Sequence, residues 1–182
     1  SGRLPMSKKA MITRTKLLYQ DNVTFIENLE SELRKAKKSA HKKGKKLAYR
    51  FNGTSDRFEE IKIMLDKEDQ PFDIAYDYTK DFQRVLYYQG YKGYNLTFSF
   101  DGLNHTESKY LLDNHIANVS IVLTTKREEA LPDTYNLDGT DYPVLDGDKH
   151  DLRFTEKTGF LIGLRAKGKA IKNNGSFVQS TK

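Results

Sequence analysis

The sequence LAYRFNGTSD, residues 47–56, carries the pattern that decides the fold. Its first half is a short apolar run typical of a strand, and a polar, glycine-containing turn follows. Ser55 or Asp56 is then predicted to cap a helix whose first turn carries Glu59 and Glu60. A strand, a turn and a helix start therefore follow one another within about a dozen residues, as in a βα unit.

The same pattern recurs along the chain. The predicted strands are 47–51, 72–76, 94–100 and 118–123, and the predicted helices after them are 56–65, 81–88 and 107–115. This spacing leaves the dozen or more residues that a crossover between parallel strands needs. We therefore predict an α/β fold of repeated βα units with a mostly parallel sheet, forming an open or incomplete (β/α) barrel.

The ends of the chain follow other patterns. Residues 1–16 are predicted to form a basic arm or helix, and a stronger helix follows Asp21 and stops at Gly44. After Lys126 the sequence predicts a loop at 130–142, strands at 152–154 and 160–164, and a flexible tail at 171–182. The 182 residues are expected to form a single α/β domain, because single domains run to roughly 100–200 residues.

Composition excludes several classes of protein. The chain contains no cysteine, so it cannot form a disulfide or a thiolate metal site by itself. No apolar run approaches the roughly 20 residues that span a bilayer, and the amino end lacks the apolar core of a secretory signal. We therefore expect no membrane partner and a cytoplasmic location.

The net charge of +6 favours anionic partners. Much of the positive charge lies in the segment 34–46, at the end of the helix that stops at Gly44. One interpretation is a solvated helix end, since basic residues there complement the helix dipole. The alternative is a surface that contacts nucleic acid through phosphate neutralisation.

Polar side chains follow the predicted strands, and in open parallel sheets ligands bind beyond the carboxyl ends of strands. The candidate catalytic residues are Asn52, Asp56, Asp77, Lys80, Ser99, Asp146, Asp148 and Arg153. The candidate ligand- or phosphate-binding residues are Arg50, Ser55, Thr79, Arg165 and Lys167. Each of these residues is also common in turns and helix caps, so the prediction depends on several strand ends being polar at once.

The segment DGDKHD, residues 146–151, suggests a metal site. Asp146 and Asp148 at alternate positions suit a hard cation such as Mg²⁺, although the calcium-loop spacing is not met. The alternative is that Asp-Gly marks a hairpin turn. His150 is a candidate acid–base group or an ordinary surface histidine. The chain has no phosphate-binding P-loop, no dinucleotide fingerprint and no Gly-x-Ser-x-Gly motif.

Six segments together resemble the bacteriophage gene product 88-like family. They are RFNGTSD (50–56), YDYTK (76–80), LTFS (96–99), VLDGD with DLRF (144–148 and 151–154) and GLRAKG (163–168). The resemblance covers about residues 14–178, and it implies a phage or prophage origin and a bacterial host more than a particular activity.

The resemblance also implies a cysteine cluster just upstream of the segment similar to residues 1–3. The present chain therefore resembles the part after that cluster, as a fragment or as a member without it. The complete pattern is similar to radical S-adenosylmethionine enzymes, whose partial barrel holds an iron–sulfur cluster. Such a cluster needs thiolates, so this chain alone cannot hold one.

Three functional hypotheses follow. The first is an accessory phage protein that binds nucleic acid or another phosphate-bearing ligand at the carboxyl ends of the strands. The second is a partial-barrel enzyme, similar to radical S-adenosylmethionine enzymes or dependent on a metal, and whether the protein is an enzyme stays open. The third is a partner-binding module, for which the polar residues after the strands would be scattered over the fold.

Overall fold

The structure is a computed structural model that describes residues 5–53, 55–168, 170 and 176–181. Its helices are α1 (Pro5–Gln20), α2 (Asn22–Lys42), α3 (Glu59–Leu65), α4 (Phe82–Tyr87) and α5 (His105–Asp113), with a 3₁₀ turn, η1, at Arg153–Thr155. Its strands are β1 (Ala48–Arg50), β2 (Ile74–Thr79), β3 (Tyr94–Ser99), β4 (Asn118–Leu123), β5 (Thr134–Leu137), β6 (Thr140–Asp146), β7 (Leu161–Arg165) and β8 (Val178–Gln179).

The strands form one sheet in the order β1-β2-β3-β4-β7-β6-β5, with β8 paired to β4. The pairs of β2 with β3, β3 with β4, β4 with β7 and β6 with β7 are all parallel. Only β5 and β6, among the pairs with a described register, run antiparallel. This order is an open path, which confirms the predicted α/β fold with a mostly parallel sheet that does not close into a barrel.

The chain divides into two compact units. The first lies within Ser1–Tyr49 and Arg57–Ile74, and the second within Arg50–Asp56 and Ala75–Lys182. In the first unit α2 begins as predicted, because the Asp21 carboxylate accepts a hydrogen bond from the Thr24 amide. No described helix combines the length and the apolar character that crossing a membrane requires.

The central strands of the second unit have one apolar face and one polar face. Phe98 lies on the apolar face, where its ring contacts Phe82 of α4 at 6.4 Å between centroids. Side chains alternate along a strand, so Thr97 and Ser99 point to the opposite face. Asn118 and Ser120 lie beside them in the parallel register. Small polar residues therefore line one face of β3 and β4 near their carboxyl ends.

The β3–β4 pairing stops before the end of β4. Register partners run from Thr97 with Asn118 to Ser99 with Ser120. Beyond that point β8 takes the same edge of β4, since β7 occupies the other edge along its length. Val178–Gln179, inside the segment predicted to be a flexible tail, thus forms a strand, while residues 171–175 lie outside the described residues.

Several predicted boundaries are wrong. The second strand runs to Thr79 and not to residue 76, so Asp77 lies inside β2. Residues 130–142 are not a loop, because β5 and β6 form a hairpin there. Its turn is Asp138–Gly139, whose φ angles of 48° and 84° suit a two-residue hairpin. The predicted strand at 152–154 is instead the 3₁₀ turn η1.

The predicted cap of the helix after β1 is also wrong. α3 begins at Glu59, and the residue before it, Phe58, makes no side-chain cap hydrogen bond. Asp56 instead accepts hydrogen bonds from the Thr79 hydroxyl, the Lys80 amide and Arg84. A residue that suits a local helix cap is thus used for contacts with residues over twenty positions away.

Candidate functional site

The second unit contains a cavity of about 530 Å³ at the carboxyl ends of its strands, which we call the main cleft. Its size is in the range of small-molecule sites, roughly 300–1,000 Å³. Its lining comprises Arg50, Tyr78, Ser99, Phe100, Ser120, Val122, Gly147, Asp148, His150, Asp151, Leu164, Lys167 and Phe177. Residues at the ends of β1, β2, β3, β6 and β7 thus meet around one space.

A second cavity of about 400 Å³ adjoins the main cleft, and we call it the side cleft. It is lined by Arg50, Asn52, Gly53, Ser55, Asp56, Tyr78, Thr79, Lys80, Ser99 and Phe177. Four residues therefore border both spaces: Arg50, Tyr78, Ser99 and Phe177.

Arg50 is held between the two clefts by three contacts. Its Nε donates to the Asn52 carbonyl at 3.0 Å, and its Nη1 donates to Asp151 at 2.9 Å. The guanidinium also lies over the ring of Tyr78, 4.4 Å from the centroid. Such stacking and hydrogen bonding fix the orientation of the planar group. Among the described residues, Nη2 donates no hydrogen bond.

Tyr78 connects Arg50 to a second arginine, Arg153. The Tyr78 hydroxyl donates to Asp151 at 3.0 Å and accepts from Arg153 Nε at 2.9 Å. Burial raises the pKa of Tyr78 to about 12, so the hydroxyl keeps its proton at neutral pH. Arg153 is 1% exposed and bonds Glu156 and the carbonyls of Gly147 and His150. Arg153 therefore holds in place three residues that line the main cleft: Tyr78, Gly147 and His150.

Asp77 is fully buried on the apolar side of β2. Its Oδ2 accepts from the Asn52 side chain at 2.5 Å, and its Oδ1 accepts from the Tyr78 amide at 2.9 Å. Burial raises the pKa of Asp77 to about 6, although both hydrogen bonds favour the ionised form. Asn52 in turn accepts a hydrogen bond from the Ser55 hydroxyl at 2.7 Å. Asp77 therefore positions Asn52 and, through it, Ser55, and both of these residues line the side cleft.

Asp146 and Asp148, the predicted magnesium ligands, form ion pairs with basic residues. Arg165 donates to both carboxylates at 3.0–3.1 Å, and Lys167 donates to Asp148 at 2.7 Å. The hydrogen bonds from Arg165 hold the pKa of Asp146 below its usual value. No group of three His, Asp or Glu residues in the described part of the chain is arranged to hold a metal ion. A cation bound here would have to displace Arg165.

The predicted site residues fall into two groups. Those that line a cleft are Arg50, Asn52, Ser55, Asp56, Thr79, Lys80, Ser99, Asp148 and Lys167. Those that lie outside both linings and hold other residues in ion pairs or hydrogen bonds are Asp77, Asp146, Arg153 and Arg165. The scatter that a pure partner-binding module would show is not observed for the first group.

Sequence reasoning missed several lining residues: Phe100, Ser120, Val122, Gly147, Leu164 and Phe177. A signal for one of them exists in the sequence. Ser120 interrupts an otherwise apolar strand, and a polar residue in a buried parallel strand is unusual. Phe177 offers no such signal, because the sequence predicts a flexible tail there and only the fold brings this ring to the cleft.

Positive and negative charges balance in the two linings. Arg50, Lys80 and Lys167 face an equal number of carboxylates, Asp56, Asp148 and Asp151. Lys80 is 3.5 Å from Asp101, so it too has an acidic partner. The clefts therefore lack the excess positive field that concentrates polyanions, and recognition there depends on specific contacts.

Comparison with known proteins gives one match. A family model described as Gene product 88 matches residues 1–180. Neither the curated proteins nor the solved structures contain a match to the chain.

Proposed function

The chain belongs to the Gene product 88 family, whose model spans residues 1–180, and we propose that its second unit binds a small phosphate-bearing ligand in the main cleft. The observation that carries the proposal is Arg50. Its guanidinium borders the cleft and is fixed by Tyr78 and Asp151, and its Nη2 donates to none of the described residues. Arginine recognises phosphate through two parallel N–H···O bonds, and a guanidinium fixed in advance loses little entropy on binding.

Lys167 supplies a second cation on the main cleft. Its side chain is 74% exposed and bonds only Asp148 in the described structure, so it can turn toward a ligand at small cost. The Ser99 hydroxyl lies on the polar face of β3, where it can donate to a further phosphate oxygen, while the neighbouring Ser120 hydroxyl donates to the Phe98 carbonyl. The balanced charge favours a compact ligand over a nucleic-acid strand in this cleft.

Replacing Arg50 by lysine should weaken the binding of inorganic phosphate and nucleoside monophosphates by about ten- to a hundredfold. The substitution keeps the charge but removes the planar fork, and hydrogen bonds to charged groups contribute about 1.5–3 kcal/mol. Isothermal titration calorimetry measures the effect. The matched control is Arg127→Lys, an exposed arginine that lines neither cleft. Equal affinities in the wild type, Arg50→Lys and the control would reject Arg50 as the phosphate anchor.

A second candidate function is nucleic-acid binding by the first unit, and one observation favours it. Arg34 and Lys37 in α2 are engaged by Asp69 and the Gln70 carbonyl. Six lysines of the same segment are exposed and form no ion pair with any described residue: Lys35, Lys38, Lys42, Lys43, Lys45 and Lys46. Lys35, Lys38 and Lys42 share one helix face, since they are spaced by three and four residues. Unpaired lysines in such a row suit phosphate contact.

The triple substitution of Lys35, Lys38 and Lys42 by glutamine should weaken nucleic-acid binding and flatten its salt dependence. Each lost phosphate contact lowers the slope of log K against log salt by about 0.7–0.9. Fluorescence anisotropy with labelled single- and double-stranded DNA across a salt series measures the slope. The control substitutes the exposed α1 lysines Lys8, Lys9 and Lys16, which changes net charge equally. The proposal fails if both triple variants lose affinity alike, or if wild type shows no salt-dependent binding.

A further inference from the structure

The main cleft and the side cleft are adjacent, and we propose that they hold the two halves of one ligand, a nucleoside diphosphate sugar. This inference rests on the proposed function, because it uses Arg50 as the phosphate anchor. The nucleoside occupies the main cleft, the diphosphate lies at Arg50, and the sugar occupies the side cleft. Four facts about the two spaces support this assignment: their shared border, their different linings, their sizes and the placement of their cations.

The shared border lies where a diphosphate would lie. Arg50, Tyr78, Ser99 and Phe177 line both spaces, so a ligand that fills both must pass them. Arg50 is the one cation in this border. A lysine lies on either side, Lys167 in the main cleft and Lys80 in the side cleft. Three cations in this order place charged N–H donors along the centre of an elongated ligand, where a diphosphate carries its oxygens.

The main cleft has an apolar part that suits a base. Val122 and Leu164 are partners in the β4–β7 register, so they form one continuous apolar patch beyond Ser120. Phe100 adds an aromatic ring to the lining. Polar groups, including His150 and Asp148, lie around this patch. An apolar patch with a few polar groups is the usual lining of a site for a heteroaromatic ligand.

Most of the residues that line the side cleft have polar side chains. Its carboxylate, amide and hydroxyl groups come from Asp56, Asn52, Ser55 and Thr79. Asp56 is fixed by Arg84 and the Lys80 amide, and Asn52 is fixed by Asp77. Carboxylates and amides held in this way recognise hydroxyl groups, which both donate and accept hydrogen bonds. A sugar offers many hydroxyl groups in a small volume, and the cavity of about 400 Å³ is large enough for one.

Binding of three kinds of probe to the full chain tests the inference by isothermal titration calorimetry. The probes are inorganic pyrophosphate, the four common ribonucleoside diphosphates, and the corresponding nucleoside diphosphate hexoses. Wild type should bind its preferred nucleoside diphosphate hexose at least about tenfold tighter than the parent diphosphate, since an arm with several hydrogen bonds adds that much. Ser55→Trp, which fills the side cleft from an exposed position, should abolish this difference and leave the affinity for the diphosphate unchanged.

Two further variants control for side effects. Ser55→Ala removes the hydrogen bond to Asn52 without filling the cleft, and it should keep at least half of the tenfold preference. Gly53→Trp fills the same space from another lining position, where an added Cβ meets no atom within 4 Å, and it should repeat the result of Ser55→Trp if that variant does not fold.

The outcomes separate the two proposals. Equal affinity of wild type for the diphosphate and the hexose, or equal losses for both ligands in Ser55→Trp, would overturn the two-part ligand while the phosphate site survives. Absence of binding by pyrophosphate and by every nucleotide would overturn the proposed function itself, and the inference with it.

Discussion

The protein with Arg153 replaced by methionine should lose about 3–5 kcal/mol of unfolding free energy, the usual cost of removing one partner from a buried ion pair. Arg153 is 1% exposed, and its guanidinium is bonded on every side. Methionine keeps much of the side-chain volume, so loss of packing contributes little. The substitution leaves the largely buried Glu156 carboxylate without its arginine, and it removes a donor from the Gly147 carbonyl and the Tyr78 hydroxyl.

Urea denaturation followed by circular dichroism and tyrosine fluorescence measures the loss. Lys157→Met is the matched control, because Lys157 is exposed and lies close to Arg153 in the chain. We expect the control to remain within about 0.5 kcal/mol of wild type, as surface substitutions usually do. Adding Glu156→Met to Arg153→Met should recover part of the stability, since the unpaired charge is then removed as well. If Arg153→Met loses less than about 1 kcal/mol of unfolding free energy, the guanidinium does not stabilise the fold and the prediction is wrong.

The same arginine illustrates what the sequence could not predict. The segment 152–154 has the apolar and polar alternation of a short strand, so the sequence predicts a strand there. It forms a 3₁₀ turn because Arg153 bonds Tyr78, which is 75 residues away in the chain. Secondary-structure propensity depends on neighbouring residues and cannot predict a contact at that separation. In such cases tertiary contacts override the local strand preference.

The central parallel strands were predictable for the opposite reason. The sequence predicts the fourth strand at 118–123, and it occupies those residues, because a strand buried along nearly its whole length is mostly apolar. The hairpin of β5 and β6 was missed because its first strand is largely exposed and carries no apolar run. Its Asp138–Gly139 turn was nevertheless present in the sequence, and Asp-Gly between two short alternating segments is a strong hairpin signal. The similar Asp146–Gly147 pair is not a hairpin turn in the structure, since β6 ends there.

The sequence predicts where polar residues gather in the fold better than it predicts their partners. Polar residues after β1, β2 and β3 were expected at one edge of the sheet, and Asn52, Lys80 and Ser99 do line one cleft. The partners of these residues were not predictable, because ion pairs form between segments that only the fold brings together. Arg165 was expected to face a ligand, yet it neutralises Asp146 and Asp148.

A second large effect concerns pH. As the pH rises from about 4 to 7, wild type should lose about 3 kcal/mol of unfolding free energy relative to Asp77→Asn. In the unfolded chain an aspartate titrates near pH 3.9. Burial raises the pKa of folded Asp77 to about 6. Below about pH 4 both states are protonated and the buried carboxyl costs nothing. Above pH 6 the folded state must hold a buried carboxylate, and two pKa units correspond to about 3 kcal/mol.

The comparison with Asp77→Asn isolates this group from the others. Asp73, Asp146 and Asp148 have lowered pKa values, so their contributions to stability are lost only as the pH falls below about 4. They and the histidines are present in both proteins and cancel in the difference. Urea midpoints at half-unit pH steps give the curve, and Asp133→Asn, at an exposed position, is the matched control.

A flat difference between pH 4.5 and 7 would mean that Asp77 titrates like an exposed aspartate, and that water reaches the space below the side cleft. If the loss of stability relative to Asp77→Asn instead grows with pH, Asp77 is a buried carboxylate that destabilises the folded state when it is ionised. Such a cost is expected where a charge positions other groups, and here the Asn52 amide is the group that Asp77 holds. Below pH 6 the protonated Asp77 carboxyl accepts the hydrogen bond from the Asn52 amide less strongly. Because Asn52 also accepts a hydrogen bond from Ser55, we then expect ligand affinity to fall as well.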